Sequence, residues 1–416
     1  MQVARRGMEG DQTRGEAGVG GGRVSKRPGG KSVPDRSLVG PLAEWYRTNQ
    51  RSLPWRNKGP RGSVKTPSGR DPYRSLVSEL MLQQTQVSRV LEKFGPFIER
   101  FPSATALADA DEQDVLAAWS GLGYYRRARL LHAAAQAIRD EHGGRVPGDV
   151  ERLKALPGLG RYTAGAIASL VFHEPAPIVD GNVTRVLLRV HGRDGAADEK
   201  ETIAWTWERA EALAKVAHAD GVIADFNEGL MELGATVCTP GMPACERCPW
   251  AGVCVAKREG TQREIPRAKK SAKRSSVMHE VVVVRTKRGD LLLERRPSVG
   301  GKGLWAGMYQ APTEESAGEG GGGVGEVRDG AEVCAVLGLG DSVRATFTTW
   351  FVFKTTHRDV LFRVYEAVVP RLVRFGPGKD GRERVWKSVA ETEGLALSNP
   401  MRGILLAGGG LGFGEG

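Results

Sequence analysis

A chain of 416 residues with 40% hydrophobic side chains is long enough for two or three domains with ordinary globular cores. Apolar runs such as Val281 to Val284 fall far short of the roughly 20 residues that span a bilayer, and no charged-then-apolar leader opens the chain. These features exclude a membrane-spanning protein and favour an intracellular one. The formal charge of +11 favours a polyanionic partner without identifying it.

Residues 1–36 are rich in Gly, Arg and Lys without apolar periodicity, and are expected to form a disordered basic tail. A helical pattern follows through Leu38, Leu42, Trp45 and Tyr46. Leu53-Pro54-Trp55-Arg56 then leads into a stretch of Gly, Lys, Pro and Ser ending at Arg70, which reads as exposed and mobile. Asp71-Pro72 is a cap followed by a first-turn proline, and Tyr73, Leu76, Val77 and Leu80 repeat at the spacing of a core-facing helix. Glu79 falls off that stripe, where a glutamate is ordinarily solvated. It is followed, however, by Leu82-Gln83-Gln84-Thr85-Gln86, an amide cluster suited to base edges.

Further helical patterns continue through Val115 to Trp119. Gly121-Leu122-Gly123-Tyr124-Tyr125-Arg126-Arg127 then sets aromatics and cations side by side in a turn before a helix that ends near Gly143. Such a turn reads either as a helix cap with core tyrosines or as a stacking wedge at kinked DNA. At Leu156-Pro157-Gly158-Leu159-Gly160, glycines leave backbone N–H groups free at the start of a helix predicted over Arg161 to Phe172, a natural phosphate seat. After Pro175 and Pro177, Ile178-Val179 enters the core and Asp180-Gly181-Asn182 opens a helix whose apolar positions are Val183, Val186, Leu187 and Val190. The plain reading of Asp180 is therefore a helix N-cap. Helices continue through Trp205, Leu213 and the Phe226 to Leu233 segment.

Of five cysteines, four fall in Cys238-x6-Cys245-x2-Cys248-x5-Cys254. That crowding suits a metal or cluster site in a reducing compartment rather than a disulfide framework, and the spacing alone leaves zinc and a four-iron four-sulfur cluster both open. Cys334 is left over and reads as a buried apolar residue. A basic stretch with Lys269, Lys270, Lys273 and Arg274 marks a change in the chain. Beyond it Val281 to Arg285 and Leu291 to Leu293 read as a hairpin around Gly289-Asp290, with further strands at Trp350 to Phe353 and Val360 to Tyr365 and two helices. Gly318 to Gly325 and the last ten residues are too glycine-rich to pack. The expected division is a tail over 1–36, an all-α domain over 37–256 with its cysteine loop at 238–254, a linker over 257–276, a mainly β domain over 277–405 and a tail over 406–416.

Taken together, Glu79 before Leu82-Gln83-Gln84-Thr85-Gln86, the Leu156 to Gly160 hairpin, Asp180-Gly181-Asn182 and the cysteine spacing resemble the helix-hairpin-helix DNA glycosylases that carry an iron–sulfur cluster, over about residues 38 to 256. Within that superfamily the chain is most similar to the adenine DNA glycosylases, which remove adenine mispaired with 8-oxoguanine. Gly303-Leu304-Trp305-Ala306-Gly307-Met308-Tyr309 resembles the Nudix-like domain of the same family. The resemblance implies an all-α helix-hairpin-helix glycosylase domain joined to a Nudix-like α+β domain. It implies one four-iron four-sulfur cluster on Cys238, Cys245, Cys248 and Cys254, double-stranded DNA as partner, a monomer, and a place at the nucleoid in a bacterial cytoplasm.

By the same resemblance Glu79 protonates adenine at N7 and later handles the water, Asp180 stabilises the sugar cation, and Tyr162 and Asn182 hydrogen-bond nearby. Leu53, Trp55, Arg56 and Glu228 would form the adenine pocket. Gln84, Thr85, Leu122 and Tyr124 would contact or wedge the DNA, and Gly158 and Gly160 would seat its phosphates. Thr356 and His357 stand where the family carries a short Phe-Ser-His-type motif that checks the base opposite adenine, although Thr355 replaces the aromatic residue.

The endonuclease III branch is the nearest other reading, but its members carry a lysine nucleophile just after the hairpin, where this chain has Tyr162. A phenol cannot form a Schiff base, so Tyr162 implies base removal without an efficient lyase step. A cluster-bearing lesion-binding module without catalysis is the other alternative, and the presence of both Glu79 and Asp180 weighs against it. The stretch 59–70 departs from the family as an insertion, and the C-terminal domain lacks the glutamates of a Nudix hydrolase, so nucleotide hydrolysis is not expected there. The chemistry also sets an electrostatic expectation. Glu79 needs a raised pKa from burial among residues such as Leu80 and Leu53, while Asp180 at a helix start should be held ionised.

Overall fold

The computed structural model describes residues 33–58, 65–268, 274–297, 303–317, 326–378 and 381–406. The expectations for residues 1–32, for the glycine-rich loop 318–325 and for the last ten residues lie outside these. The helical part comprises α1 (Arg36–Asn49), a single 3-10 turn at Pro54–Arg56, α2 (Pro72–Leu82), α3 (Val87–Arg100), α4 (Ala104–Ala108), α5 (Glu112–Ala118) and α6 (Arg126–His142). It continues with α7 (Val150–Ala155), α8 (Arg161–Phe172), α9 (Gly181–His191), α10 (Lys200–Ala219), α11 (Ile223–Thr236) and α12 (Val255–Glu259). Val33, expected in the tail, is buried against this part.

Capping residues fix several of these starts where the sequence indicates them. The Asp71 side chain accepts from Arg74 N, Asp149 from Arg152 N and Asp180 from Val183 N, each relieving an unsatisfied first-turn donor. Two apolar clusters form the core of the helical part. One gathers residues of α2 to α8 and the other residues of α1 and α8 to α11. α8 belongs to both, with Ala164 and Ile167 in the first and Ala166 and Leu170 in the second. Its residues Thr163 to Val171 are all buried, and a Cβ on Gly165 would lie 2.3 Å from the Pro177 carbonyl oxygen, so glycine is required for this close approach.

α2 corrects the reading of Glu79 as a solvated residue off an apolar stripe. Pro72, Tyr73 and every residue from Ser75 to Met81 are buried, because the helix is enclosed on all sides rather than lying on a surface. The stretch before it is corrected in part. Residues 59–64 lie outside the described region, but Ser68 donates to Val171 O and Arg70 reaches into the molecule, so the end of this stretch is anchored rather than free.

The C-terminal part contains β1 (Ser275–Thr286), β2 (Leu291–Arg295), β3 (Tyr309–Gln310), β4 (Thr313–Ala317), α13 (Gly330–Val336), β5 (Thr346–Lys354), β6 (Arg358–Val369), β7 (Arg384–Lys387), α14 (Val389–Glu393) and α15 (Asn399–Leu406). Among the described residues three helices stand where two were expected. The sheet is mixed, in the order β3-β2-β1-β6-β5, with β4 also on β1 and β7 on β2. β1 and β6 run parallel from Ser275–Arg358 to Thr286–Val369, and the neighbouring pairs are antiparallel. The continuous Val281 to Val284 run follows from this, since both faces of β1 are covered. Val281 and Val283 pack with Met401 and Leu405 of α15, while Val282 and Val284 pack with Val333 and Cys334 of α13. Cys334 is buried as expected.

The two parts are in direct contact. Met308 and Ala396 join the helical core cluster, the Tyr125 hydroxyl donates to Leu397 O at 2.9 Å, and Gln113 Nε2 donates to Gly307 O at 3.2 Å. The Gly303 to Tyr309 stretch therefore forms much of the seam.

Candidate active site

A cavity of about 640 Å³ opens between the two halves of the helical part, lined from α2, α8, α9 and α11 and from the segments before α2 and α8. Glu79, Asp180, Tyr162 and Asn182 all line it, as do Leu53, Trp55, Arg56 and Glu228, and Gln84, Thr85, Gly158 and Gly160 stand at its walls. Leu122, Tyr124, Thr356 and His357 lie outside it.

Glu79 sits within the last turns of α2 with 8% of its surface exposed. Burial first, then the neighbouring charge of Glu228, pushes its carboxyl up to about 7, against a hydrogen bond from Tyr162 that works the other way. Asp180 caps α9, its Oδ1 accepting from Val183 N at 2.7 Å and its Oδ2 from Asn182 Nδ2 at 3.2 Å. The cap reading is thus correct as far as it goes, but the side chain also faces the cavity. The helix start does not fully cancel the effect of burial on Asp180. Burial raises its pKa, and the N–H groups of Val183 and Asn182 offset that only in part. The Tyr162 phenol lies beside both carboxyls with its oxygen 3.2 Å from Met231 Sδ, and burial followed by the charges of Glu79 and Asp180 keeps it protonated.

The opposite wall carries an ion-pair network only partly legible in the sequence. Glu228 accepts from Tyr46 Oη at 2.5 Å, from Arg56 Nε at 3.1 Å and from both terminal nitrogens of Arg70 at 2.9 and 2.5 Å. One turn along α11, Glu232 accepts from Arg51 Nε at 2.6 Å and Arg56 Nη2 at 2.8 Å. Despite its burial, those hydrogen bonds hold Glu232 below the ordinary carboxylate range. Arg51, Arg70, Tyr46 and Glu232 were missed. The available signal was the four-residue spacing of Glu228 and Glu232, which puts two acids on one helical face.

Behind Asp180 a chain of hydrogen bonds leads toward the cysteines. Arg185 donates to Asn182 Oδ1 at 2.8 Å and to Cys238 O at 2.8 Å, and Arg189 Nη1 lies 3.4 Å from Cys238 Sγ. Cys238, Cys245, Cys248 and Cys254 line one small apolar cavity with Arg189 and Lys257. Burial, reinforced by the neighbouring sulfurs, raises the thiols of Cys245, Cys248 and Cys254, that of Cys248 to about 12. Among the described residues no three metal-ligating side chains are arranged to hold a single ion.

The hairpin takes its shape from Gly158, at φ +78°, where a Cβ would lie 2.6 Å from Leu130 Cβ. No backbone carbonyl among the described residues takes the N–H of Gly158 or Gly160. Gln84 at the cavity wall and Tyr124 outside it are both exposed, but Leu122, expected beside them, is 5% exposed and packs in the core while its carbonyl faces Arg127. Thr356 and His357 are exposed on the tight β5–β6 turn, where the Thr356 hydroxyl is hydrogen-bonded to the Tyr124 hydroxyl. The C-terminal turn thus meets the turn between α5 and α6, a contact that sequence spacing does not reveal.

Residues 77–212 match the family of HhH-GPD superfamily base excision DNA repair proteins. The chain is 41% identical over 225 residues to an adenine DNA glycosylase of Mycobacterium tuberculosis, covering 52% of this chain and 69% of that protein. It is 44% identical over 218 residues to the adenine DNA glycosylase of Mus musculus, covering 52% of this chain and 41% of that protein. The chain thus spans about two fifths of the length of that mammalian relative. A solved thermostable thymine-DNA glycosylase is also similar, at 28% identity and a TM-score of 0.46 over 54% of this chain and 97% of that one.

The raised carboxyl of Glu79 makes stability depend on pH. Below its ordinary value of 4.5 the group is protonated in folded and unfolded chains alike; between about 4.5 and about 7 the unfolded chain ionises while the folded chain stays protonated, so stability falls through that window and levels off once the buried group ionises too. Glu79→Gln should therefore gain stability over the natural chain as pH rises, by about 2 kcal/mol more near pH 8 than near pH 5.5. Urea unfolding at both values checks this, and a pH-independent difference would assign Glu79 an ordinary pKa.

Proposed function

The chain belongs to the adenine DNA glycosylase family, and we propose that it hydrolyses the N-glycosidic bond of adenine mispaired with 8-oxoguanine or guanine in double-stranded DNA, leaving an abasic site. The observation that carries this reading is the pair of carboxyls, buried Glu79 and half-buried Asp180, lining one cavity with the Tyr162 phenol beside both. With DNA as its substrate the protein acts as a monomer at the nucleoid.

An adenine in a duplex is stacked and paired, so it must be extruded to reach the cavity. Glu79, held near neutrality in its protonated form, gives its proton to adenine N7. The bond between the sugar C1′ and N9 then breaks, its electron pair leaving with the neutralised purine. The oxocarbenium-like sugar faces the Asp180 carboxylate, whose charge offsets the developing cation. Water adds at C1′ and its proton passes to the Glu79 carboxylate, restoring the acid. Tyr162 and Asn182 orient the two carboxyls, and Arg56 and Glu228 offer a donor and an acceptor at the base. Tyr162 in the place after the hairpin supports hydrolysis over the lyase chemistry of the endonuclease III branch.

The free N–H groups of Gly158 and Gly160 at the start of α8 suit a DNA phosphate. Gln84 and Tyr124 are the exposed side chains suited to fill the space left by the extruded base. Thr356 and His357, adjoining Tyr124, offer a hydroxyl and an imidazole to the extra oxygen and N–H that distinguish 8-oxoguanine from guanine.

Four cysteine sulfurs around one cavity, with the Arg189 guanidinium against Cys238, make a donor set that fits a four-iron four-sulfur cluster. Its thiolates would be stabilised by the iron and by the two cations at the cavity wall. We assign the cluster a structural role, fixing the loop after α11 and, through Arg185 and Asn182, the position of Asp180.

Single-turnover assays on a duplex with adenine opposite 8-oxoguanine, followed by alkali, test the proposal. Glu79→Gln should abolish excision while DNA binding survives, and Asp180→Asn should lose most excision with its helix cap intact; normal excision by either would remove that residue from the mechanism. The purified protein should be brown, with about four irons and four sulfides per chain, whereas stoichiometric zinc after anaerobic purification would overturn the cluster assignment. The double variant Thr356→Ala, His357→Ala should retain excision but lose part of its preference for adenine opposite 8-oxoguanine over adenine opposite guanine. Undiminished preference would locate discrimination elsewhere.

A further inference from the structure

Arg127, the second residue of α6, is buried, and its partners are carbonyls and a hydroxyl rather than a carboxylate. Its Nη1 donates to Leu80 O and Met81 O, each at 2.8 Å, and to Gln83 O. Its Nη2 donates to Thr85 Oγ1 at 2.9 Å and to the carbonyls of Leu122 and Gly123, each at 3.1 Å. The guanidinium lies 5.4 Å from the ring centroids of both Trp119 and Tyr124.

These contacts bracket two unusual backbone positions. Gln84 has φ +55° and Tyr124 has φ +48°, the left-handed region that costs a non-glycine residue free energy and persists only where the surroundings impose it. Arg127 bonds the residues on either side of Gln84, and the two carbonyls immediately before Tyr124. The same guanidinium bonds the carbonyl of Leu80, the residue after Glu79. Six acceptors around one flat fork suit arginine; the single ammonium of lysine cannot reach them all.

We infer that Arg127 is a positioning residue that braces Gln84 and Tyr124 as one unit for base extrusion and ties that unit to the helix bearing Glu79. The inference rests on the glycosylase reading for its purpose, but the bracing itself is read from geometry. Arg127 does not line the cavity that holds Glu79 and Asp180. Its effect is to present the two exposed side chains already in the strained conformation in which they enter the stack, so that extrusion and delivery to Glu79 are one movement.

The test uses the full chain, its Arg127→Lys and Arg127→Met variants, and Glu79→Gln as a control for chemistry. The first probe is a duplex with 2-aminopurine opposite 8-oxoguanine, whose fluorescence rises when the base leaves the stack. The second compares single-turnover excision of adenine opposite 8-oxoguanine with that of adenine opposite an abasic-site analogue, where no pairing opposes extrusion. Both Arg127 variants should lose the fluorescence rise and excise paired adenine about 100-fold more slowly, with most of the loss recovered on the unpaired adenine. Glu79→Gln should keep the fluorescence rise. Variants that unstack the probe as the natural chain does, or that lose excision equally on both duplexes, would overturn the bracing role. If Arg127→Met fails to fold, Arg127→Lys decides by the same readouts. A natural chain that unstacks the probe but excises nothing would sink the glycosylase reading, leaving the variants' fluorescence to decide the bracing; one that does neither would sink both.

Discussion

Taking an acid out of water is the chief means of keeping it protonated near neutrality, and the helical part is organised around that demand. α2 is enclosed on every side, so a glutamate one position from the apolar stripe is buried with the rest. The cost of a lone charge there is what raises its affinity for a proton. α8 makes the enclosure feasible. Its small residues let the chain around Pro177 approach closely, and it shares its two faces between the two core clusters. The cavity is the gap left between those clusters, so the position of the carboxyls and the shape of the pocket have one cause.

The same demand explains the arginines on the opposite wall. Glu228 and Glu232 bring two more carboxyls into a buried space that already holds Glu79 and Asp180. Unpaired, they would repel one another and the site would lose definition. Arg51, Arg56 and Arg70 pair with them, each guanidinium supplying donors in a fixed plane. The segment before α2 therefore ends in a contact, Arg70 to Glu228, that closes the pocket wall.

Local signals made much of this legible. The start and end of α8, the cap of α9 and the α2 boundary follow from short-range chemistry: a glycine turn, a capping aspartate, a first-turn proline. The long-range pairings were not legible. Nothing near Arg70 says that it will meet Glu228, and nothing near Arg127 says that its fork will collect carbonyls from two separate segments. Leu122 shows the opposite failure. Its setting among glycines and tyrosines suggested exposure, yet an apolar side chain in a short turn goes inward when the backbone there has a buried cation to satisfy. Asp180 shows that the N–H groups of a helix start do not by themselves cancel the upward push that burial gives a carboxyl.

The parallel pairing of β1 with β6 has a consequence in time. Strand residues 275–286 wait for residues 358–369, so the sheet's central pair closes only after most of the chain is available, whereas the helices around the cavity find most of their partners within the first 260 or so residues. Contacts of such sequence separation form late because a long loop must first be closed. As the chain emerges during synthesis, the helical part and its buried carboxyls can assemble before the β5–β6 turn has a strand to stand on. The order of translation thus builds the pocket first and the turn that meets Tyr124 last.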